Sequence, residues 1–298
     1  MWKKIGRIFD PSVLTQGHTH SSVPIAENIK DSLFKIYFSS RDQSNRSYTR
    51  YFLIDLEDPF NSLEFKDHFV LEPGALGSFD DSGAMACWLT ETVDTKFLYY
   101  IGWNLGVTVP FRNSIGIAKE DNGIFNKLFD GPILDRSKDE PHFVASCCVL
   151  KEKERWLMWY LACKDWIIKD NKTTHRYHIR YAESSDGVFW KRNNKIAIDF
   201  KDDDEFAISR PSVVKDKDCW KMWYSYRGDN YKIGYAESMD GKNWKRKDFL
   251  AGIETSENGW DSEMIEYPYV FDYKDNRYML YNGNDYGRSG IGLAILDQ

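Results

Sequence analysis

One two-part phrase recurs along the chain, and its spacing limits the fold more than any single residue does. It pairs a strand carrying an aromatic doublet with a second strand that runs into Ala-Glu-Ser-x-Asp-Gly and a Trp. The clearest copies are WKMWYSYR with YKIGYAESMDGKNW at residues 220–244, and RWLMWYLACKDW with YHIRYAESSDGVFW at residues 155–190. A degenerate copy, KFLYYIGWN with SIGIAKEDNGIFN, occupies residues 96–126. LFKIYFSSRD with RYFLIDLEDP stands near the start, and RYMLYNGNDYG with GIGLAILD at the end. One marker aromatic from each copy gives Tyr37, Tyr100, Tyr160, Tyr224 and Tyr281. Their spacing is roughly 60 residues, a period that signals a closed array of similar sheets.

Each copy reads as four antiparallel strands. An apolar strand comes first, as in residues 144–150 or 212–214, followed by a turn rich in Lys and Asp. The doublet strand and the strand ending in Ser-x-Asp-Gly come next, and the Trp then opens a fourth strand, WKRKDF or WKRNNK. Short strands rich in aromatic and β-branched residues, joined by short turns, describe a propeller blade. The expectation is an all-β, five-bladed β-propeller with four-stranded antiparallel blades. In Ser-x-Asp-Gly the Asp accepts hydrogen bonds from the turn backbone and Gly supplies a positive φ, so Asp186, Asp240, Trp190 and Trp244 are read as structural. The opening MWKKIGRIF has the pattern of a fourth strand, whereas the last repeat, residues 266–297, has only three. The N-terminal segment is therefore expected to complete the final blade and close the ring. No linker or low-complexity stretch interrupts residues 1–298, which read as a single domain. An insertion, DWIIKDNKTT at residues 165–174, lengthens one hairpin of the third blade.

The formal net charge is −6, with both signs interspersed. There is no basic stripe for nucleic acid and no block of like charge for a disordered tail. Aromatic residues make up 16% of the chain, which suits a carbohydrate site because the C–H faces of sugars pack on rings. Five cysteines, two of them adjacent and none at zinc spacing, read as reduced core thiols. His18 and His20 lack a third partner, so no metal is expected, and no cofactor. Residues 1–11 have no apolar centre of a signal peptide and no window approaches a membrane span. The expectation is a cytoplasmic protein without membrane insertion.

In a propeller the innermost strands begin on one face and the second strands return to it, so residues at both places look into a common funnel. The inner-strand openings carry His18 and His20, Asp80 and Asp81, Glu140 and His142, Glu205 and Arg210, then Asp261, Glu263 and Glu266. The second-strand ends carry Arg41, Trp103 with Asn104, Lys164, Arg227, and Asn284 with Asp285. Carboxylates focused in one pocket cannot all ionise normally, the condition that acid and base catalysis requires. Arg41 and Arg210 read as planar forks for sugar hydroxyls or a carboxylate.

Five blades, the Ala-x-Ser-x-Asp-Gly-x-x-Trp repeat and acids at inner-strand openings together resemble the five-bladed glycoside hydrolase superfamily of arabinanases, β-xylosidases and invertases. The phrases GSFDDSGAM, YYIGWN, ISRPSVV and GWDSEMIEYPYVF resemble an uncharacterised glycosidase-like subgroup associated with surface-polysaccharide biosynthesis. The resemblance implies a supporting Asp at Asp81, or its neighbour Asp80, and a general acid at Glu140. Where the first-blade base belongs the chain reads HTHSSVP. Either Asp10 folds back, or Glu266 takes the base role, or the protein is not a hydrolase of that kind. The implied activity is that of a glycoside hydrolase, or another enzyme acting at a glycosidic or glycosyl-phosphate bond. Its catalytic residues would be Asp81, Glu140 and Glu266, with His20, Arg41, Asp80, Trp103, Arg210, Arg227, Asp261 and Asn284 around the substrate. The alternative is a non-hydrolytic module that binds or transfers a sugar or nucleotide-sugar during polysaccharide assembly, alongside polysaccharide-biosynthesis enzymes. A protein-interaction propeller would need an apolar rim where the predicted mouth is polar.

Overall fold

A computed structural model describes residues 1–15, 17–169 and 171–297. Aromatic and β-branched residues suit pleated surfaces packed on both faces, and strand predominates in the described chain, with little helix. After β1 (Trp2–Phe9) comes a first antiparallel quartet: β2 (Thr19–Lys30), β3 (Leu33–Arg41), β4 (Ser47–Asp55) and β5 (Glu64–Phe65). The second holds β6 (Gly83–Glu91), β7 (Lys96–Leu105), β8 (Phe111–Asp121) and β9 (Ile124–Lys127). The third holds β10 (Val144–Glu152), β11 (Arg155–Lys169), β12 (Lys172–Ser184) and β13 (Lys191–Ile198). The fourth holds β14 (Ala207–Lys215), β15 (Trp220–Arg227), β16 (Tyr231–Ser238) and β17 (Trp244–Arg246). Last come β18 (Glu266–Tyr273), β19 (Asn276–Asn282) and β20 (Ile291–Leu296), and β1 pairs antiparallel with β20, Trp2 facing Leu296 and Phe9 facing Ile291. Single parallel bridges, Ser47 to Gly83 and Tyr177 to Ala207, join the first quartet to the second and the third to the fourth. The result is three sheets, none closed on itself by hydrogen bonds. The insertion extends β11 and β12 to the pair Lys169 and Lys172, and its Asp170 lies outside the described residues.

Aromatic packing binds the quartets together. Trp2 meets Trp223 edge-on at 5.5 Å, while Phe9, at the other end of β1, stacks on Phe52 at 4.6 Å and touches Phe38 at 4.8 Å. In the Ser-x-Asp-Gly turns the carboxylates of Asp186 and Asp240 accept the two backbone N–H groups that follow each glycine. Gly187 and Gly241 take φ of 79° and 72°, conformations open to glycine without cost. Their carbonyls accept hydrogen bonds from the preceding quartet: Tyr99 Oη reaches Gly187 at 2.8 Å and Trp159 Nε1 reaches Gly241 at 2.8 Å. The most conspicuous motif of the sequence thus fastens neighbouring quartets.

A second repeated device accounts for acids expected to face a substrate. The marker tyrosines are buried, and a buried phenol needs an acceptor. Tyr100, Tyr160 and Tyr281 each donate to a carboxylate 20 residues upstream, namely Asp80 at 3.3 Å, Glu140 at 2.7 Å and Asp261 at 3.0 Å. A cation from the fourth strand of the same quartet closes each latch. Lys127 reaches Asp80 at 2.6 Å, Arg192 pairs with Glu140, and Lys4 reaches Asp261 at 2.7 Å. In the fourth quartet the acids divide the work: Tyr224 donates to Asp248, and Arg246 pairs with both Asp248 and Glu205. In the first, Tyr37 donates to Glu27 at 2.6 Å, which also receives Lys96 at 2.6 Å. The placing of Asp80, Glu140 and Asp261 in a funnel is therefore corrected: their carboxylates tie an entry loop to a second and a fourth strand.

Candidate active site

The inner strands β2, β6, β10, β14 and β18 all carry a register break, at Ser22/Ile25, Ala86/Trp88, Ala145/Cys147, Ser209/Ser212 and Glu266/Tyr269. In four of them the displaced residue stands fourteen positions before the marker tyrosine and has a positive φ: Val23 (59°), Ser146 (31°), Arg210 (53°) and Tyr267 (55°). Three of these precede Pro24, Pro211 and Pro268. A proline ring pushes its predecessor toward extended geometry, so the left-handed backbone there is imposed by the surrounding fold. The bulge also explains why proline is tolerated, since the ladder is interrupted where its N–H is missing. Such conformations cost about 1–3 kcal/mol each and gather at functional sites.

These bulges border a cavity of about 350 Å³. Val23, Met85, Ser146, Ser209 and Tyr267 line it from the five inner strands. The second strands deliver Arg41, Trp103 and Arg227, while Tyr231 opens the third strand of its quartet and Tyr177 lies within the third strand of the quartet before it. His175 comes from the lengthened hairpin and Tyr286 from the turn at Asn284–Gly287. Among the described residues no Asp or Glu lines the cavity.

Three of its polar side chains, Arg41, Arg227 and Trp103, can only donate. Arg41 donates to Asn45 Oδ1 at 3.3 Å, and Arg227 donates to Tyr286 Oη at 2.5 Å while lying over the rings of Phe206 (4.7 Å) and Tyr231 (4.9 Å). The Nε–H of both guanidiniums, the indole N–H of Trp103 and the hydroxyls of Ser146 and Ser209 are buried without a hydrogen-bond partner among the described residues. The hydroxyls of Tyr177 and Tyr231 hydrogen-bond each other across the third and fourth quartets. His175 stacks on Tyr177 at 4.8 Å, and burial, aided by the charge of Arg227, pulls its pKa down to about 4.

Glu266 opens β18 beside Tyr267 and is 0% exposed. Neither of its carboxylate oxygens has a hydrogen-bond partner among the described residues. Burial pushes its pKa well above the ordinary carboxyl value, with Arg227, Tyr267 and Arg41 pulling the other way. It stands behind the wall at Tyr267, its carboxyl biased by burial toward the protonated form.

Of the residues singled out in the sequence, Arg41, Trp103 and Arg227 come together in the cavity lining. Asp81, Glu140 and Glu266 were expected to share one cavity, and none of the three stands among the described residues that line this one. Asp81 accepts from the Gly77 N–H at 3.0 Å and the Ser82 hydroxyl at 2.9 Å, holding its own loop. Asn284 does the same for the N–H groups of Glu263 (2.9 Å) and Met264 (3.1 Å). His20 sits outside the lining with its ring beside the Thr19 hydroxyl at 2.8 Å, and burial together with Arg41 and Arg288 pulls its pKa down to about 4. Arg210 is fully buried; it donates to the carbonyls of Cys87 and Pro24 between the rings of Trp88 and Tyr269, so it ties inner strands rather than a ligand. Tyr177, Tyr231, Tyr267, Tyr286 and His175 were missed. A signal existed for two of them, since Tyr177 and Tyr231 both begin the repeated Tyr-x-Ile-x pattern that runs into Tyr-Ala-Glu-Ser. Among the described residues no group of three or more His, Cys, Asp or Glu is placed to hold a metal, and no helix is long and apolar enough to cross a membrane.

The uncharacterized protein Rv1502 of Mycobacterium tuberculosis is 40% identical to this chain over 298 residues, spanning 99% of each. The chain belongs to that protein's family. No family model matches it. Among solved structures, a glycoside hydrolase superposes with a TM-score of 0.76 at 18% identity, covering 99% of this chain and 91% of that one. A thermostable family-43 glycoside hydrolase superposes with a TM-score of 0.69 at 16% identity, covering 93% and 89%. What this family shares with them at such identities is a fold, that of the propeller-type glycoside hydrolases.

Proposed function

We propose that this protein is a glycoside hydrolase that binds a sugar in the inner-strand cavity, with Glu266, held behind the wall beside cavity-lining Tyr267, as its proton source. The observation that carries the reading is the state of Glu266: a buried carboxyl without a partner, raised in pKa, next to cavity-lining Tyr267 and within the field of Arg227. A carboxylic acid kept protonated by an apolar site can protonate the leaving oxygen of a glycosidic bond. The tyrosines and Trp103 offer faces for sugar C–H groups, and the cavity lies near the small end of ligand pockets, which run from about 300 to 1,000 Å³. The glycoside hydrolase fold supports the same class. Glu140 and Asp81 are not given the acid and supporting roles, because other groups of the fold occupy their carboxylates.

The proposal includes an architecture, a single five-bladed domain whose ring is closed by β1, supported by the five antiparallel quartets and the pairing of β1 with β20. It also includes a setting in surface-polysaccharide biosynthesis, supported by the sequence phrases quoted above, and a place in the cytoplasm. A second reading, a non-hydrolytic sugar-binding module, is favoured by one observation: no Asp or Glu stands among the described lining residues. Assays on a panel of aryl glycosides and oligosaccharides separate the two. Turnover that disappears in Glu266→Gln, while the variant melts like the parent or above it, supports the hydrolase. Saturable sugar binding by the wild type with no product from any substrate transfers the protein to the second reading.

A further inference from the structure

We propose that the cavity selects an anionic sugar, one whose carboxylate or phosphate lies between Arg41 and Arg227. The sugar part of this inference rests on the reading above, whereas the anion part stands on the two guanidiniums. Arginine stays charged under all physiological conditions and presents a fork that matches carboxylate and phosphate oxygens. Arg41 and Arg227 reach the cavity from the ends of β3 and β15, where their recorded polar contacts are neutral, an asparagine carbonyl and a tyrosine hydroxyl. Each keeps a buried Nε–H without an acceptor, and the neighbouring Trp103, Ser146 and Ser209 add further unpartnered groups. Leaving charged donors unpaired away from water is costly, so a site built this way is completed by the acceptor it binds.

Nothing on the wall supplies the balancing charge. The lining holds no carboxylate among the described residues, and Glu266, which senses both arginines, is driven by burial toward its uncharged form. His175 is held neutral and His20 likewise. In a chain of formal net charge −6, two unopposed cations in one cavity are a local reversal of sign, which focuses anions. The hydroxyls of a neutral sugar can accept from these donors but leave both charges unbalanced.

The test titrates inorganic phosphate, glucuronate, a glucose phosphate ester and glucose into the wild type, Arg41→Gln, Arg227→Gln and Arg227→Lys, by calorimetry, with melting curves to confirm folding. Expected are binding of phosphate and both charged sugars, a preference of about tenfold or more over glucose, and weaker binding as salt is raised. Each Arg→Gln change weakens anion binding roughly tenfold to a hundredfold, and Arg227→Lys recovers part of the loss. Anions that bind no more tightly than glucose, anions that do not bind the wild type, or anion affinity unchanged in the folded Arg→Gln variants each overturn the inference. Arginine-dependent phosphate binding with no sugar bound would uphold the anion site and remove the carbohydrate reading. Glucose bound as tightly as glucuronate would do the reverse.

Discussion

Two acids show how a residue's surroundings decide its role. Glu140 receives Tyr160, Arg192 and Arg180, whereas neither carboxylate oxygen of Glu266 has a hydrogen-bond partner among the described residues and burial raises its pKa. Glu140→Gln should therefore lower stability, by about 1–3 kcal/mol, less than the full loss of a buried pair because Arg192 and Arg180 retain contact with water. Turnover per folded molecule should persist. Chemical denaturation with an activity assay checks both, and a variant as stable as the parent but inactive would return Glu140 to the mechanism. Glu266 makes a pH-dependent prediction. Its folded pKa lies above the ordinary 4.5, so the stability it contributes is present below that value and is lost as pH rises toward the folded pKa. Glu266→Gln lacks that loss, and its urea midpoint should gain on the wild type between about pH 5 and about pH 8. A constant difference across that range rules this out. The recurrence of acids at the strand openings was legible in the sequence. Their purpose was not, because a carboxylate that accepts from a tyrosine 20 residues on and one that accepts from a substrate look identical in letters.

At the level of single elements, β1 matters most. It buries Trp2 against Trp223 and Phe9 against Phe52, and it lends Lys4 to the latch on Asp261. Burying each aromatic contributes about 1.5–3 kcal/mol, so a chain lacking Met1 to Phe9 should melt well below the full-length protein or fail to fold. Coincident melting curves would refute the structural role of this strand. Its pattern was readable because WKKIGRIF repeats the spacing of WKRKDF. The inner-strand bulges were not readable. Val-Pro, Arg-Pro and Tyr-Pro inside SSVPIA, ISRPSVV and IEYPYVF look like strand ends, and only the crowding of five strands holds Val23, Arg210 and Tyr267 at positive φ. The hairpin insertion was visible, but that it brings His175 to the cavity depends on its direction.

For the whole molecule, the period of the marker tyrosines was enough to foresee the succession of four-stranded units, and the ends of the second strands pointed to Arg41, Trp103 and Arg227, which line the cavity. Cysteine reactivity tests how tightly the assembly is packed. Cys87, Cys147, Cys148 and Cys163 are buried and Cys219 is half-exposed. An aromatic disulfide reagent should label one thiol quickly in the native protein and five in denaturant. Rapid native labelling of several thiols would show that the units part readily.

Val23, Ser146, Ser209 and Tyr267 stand on inner strands, with their backbones already set before any visitor arrives. A wall of that kind has little freedom to swing. On the proposed reading, a misfitting sugar is turned away by collision with these strands. Relatives with different tastes would then differ in the side chains of this rigid mould more than in the lengths of its loops.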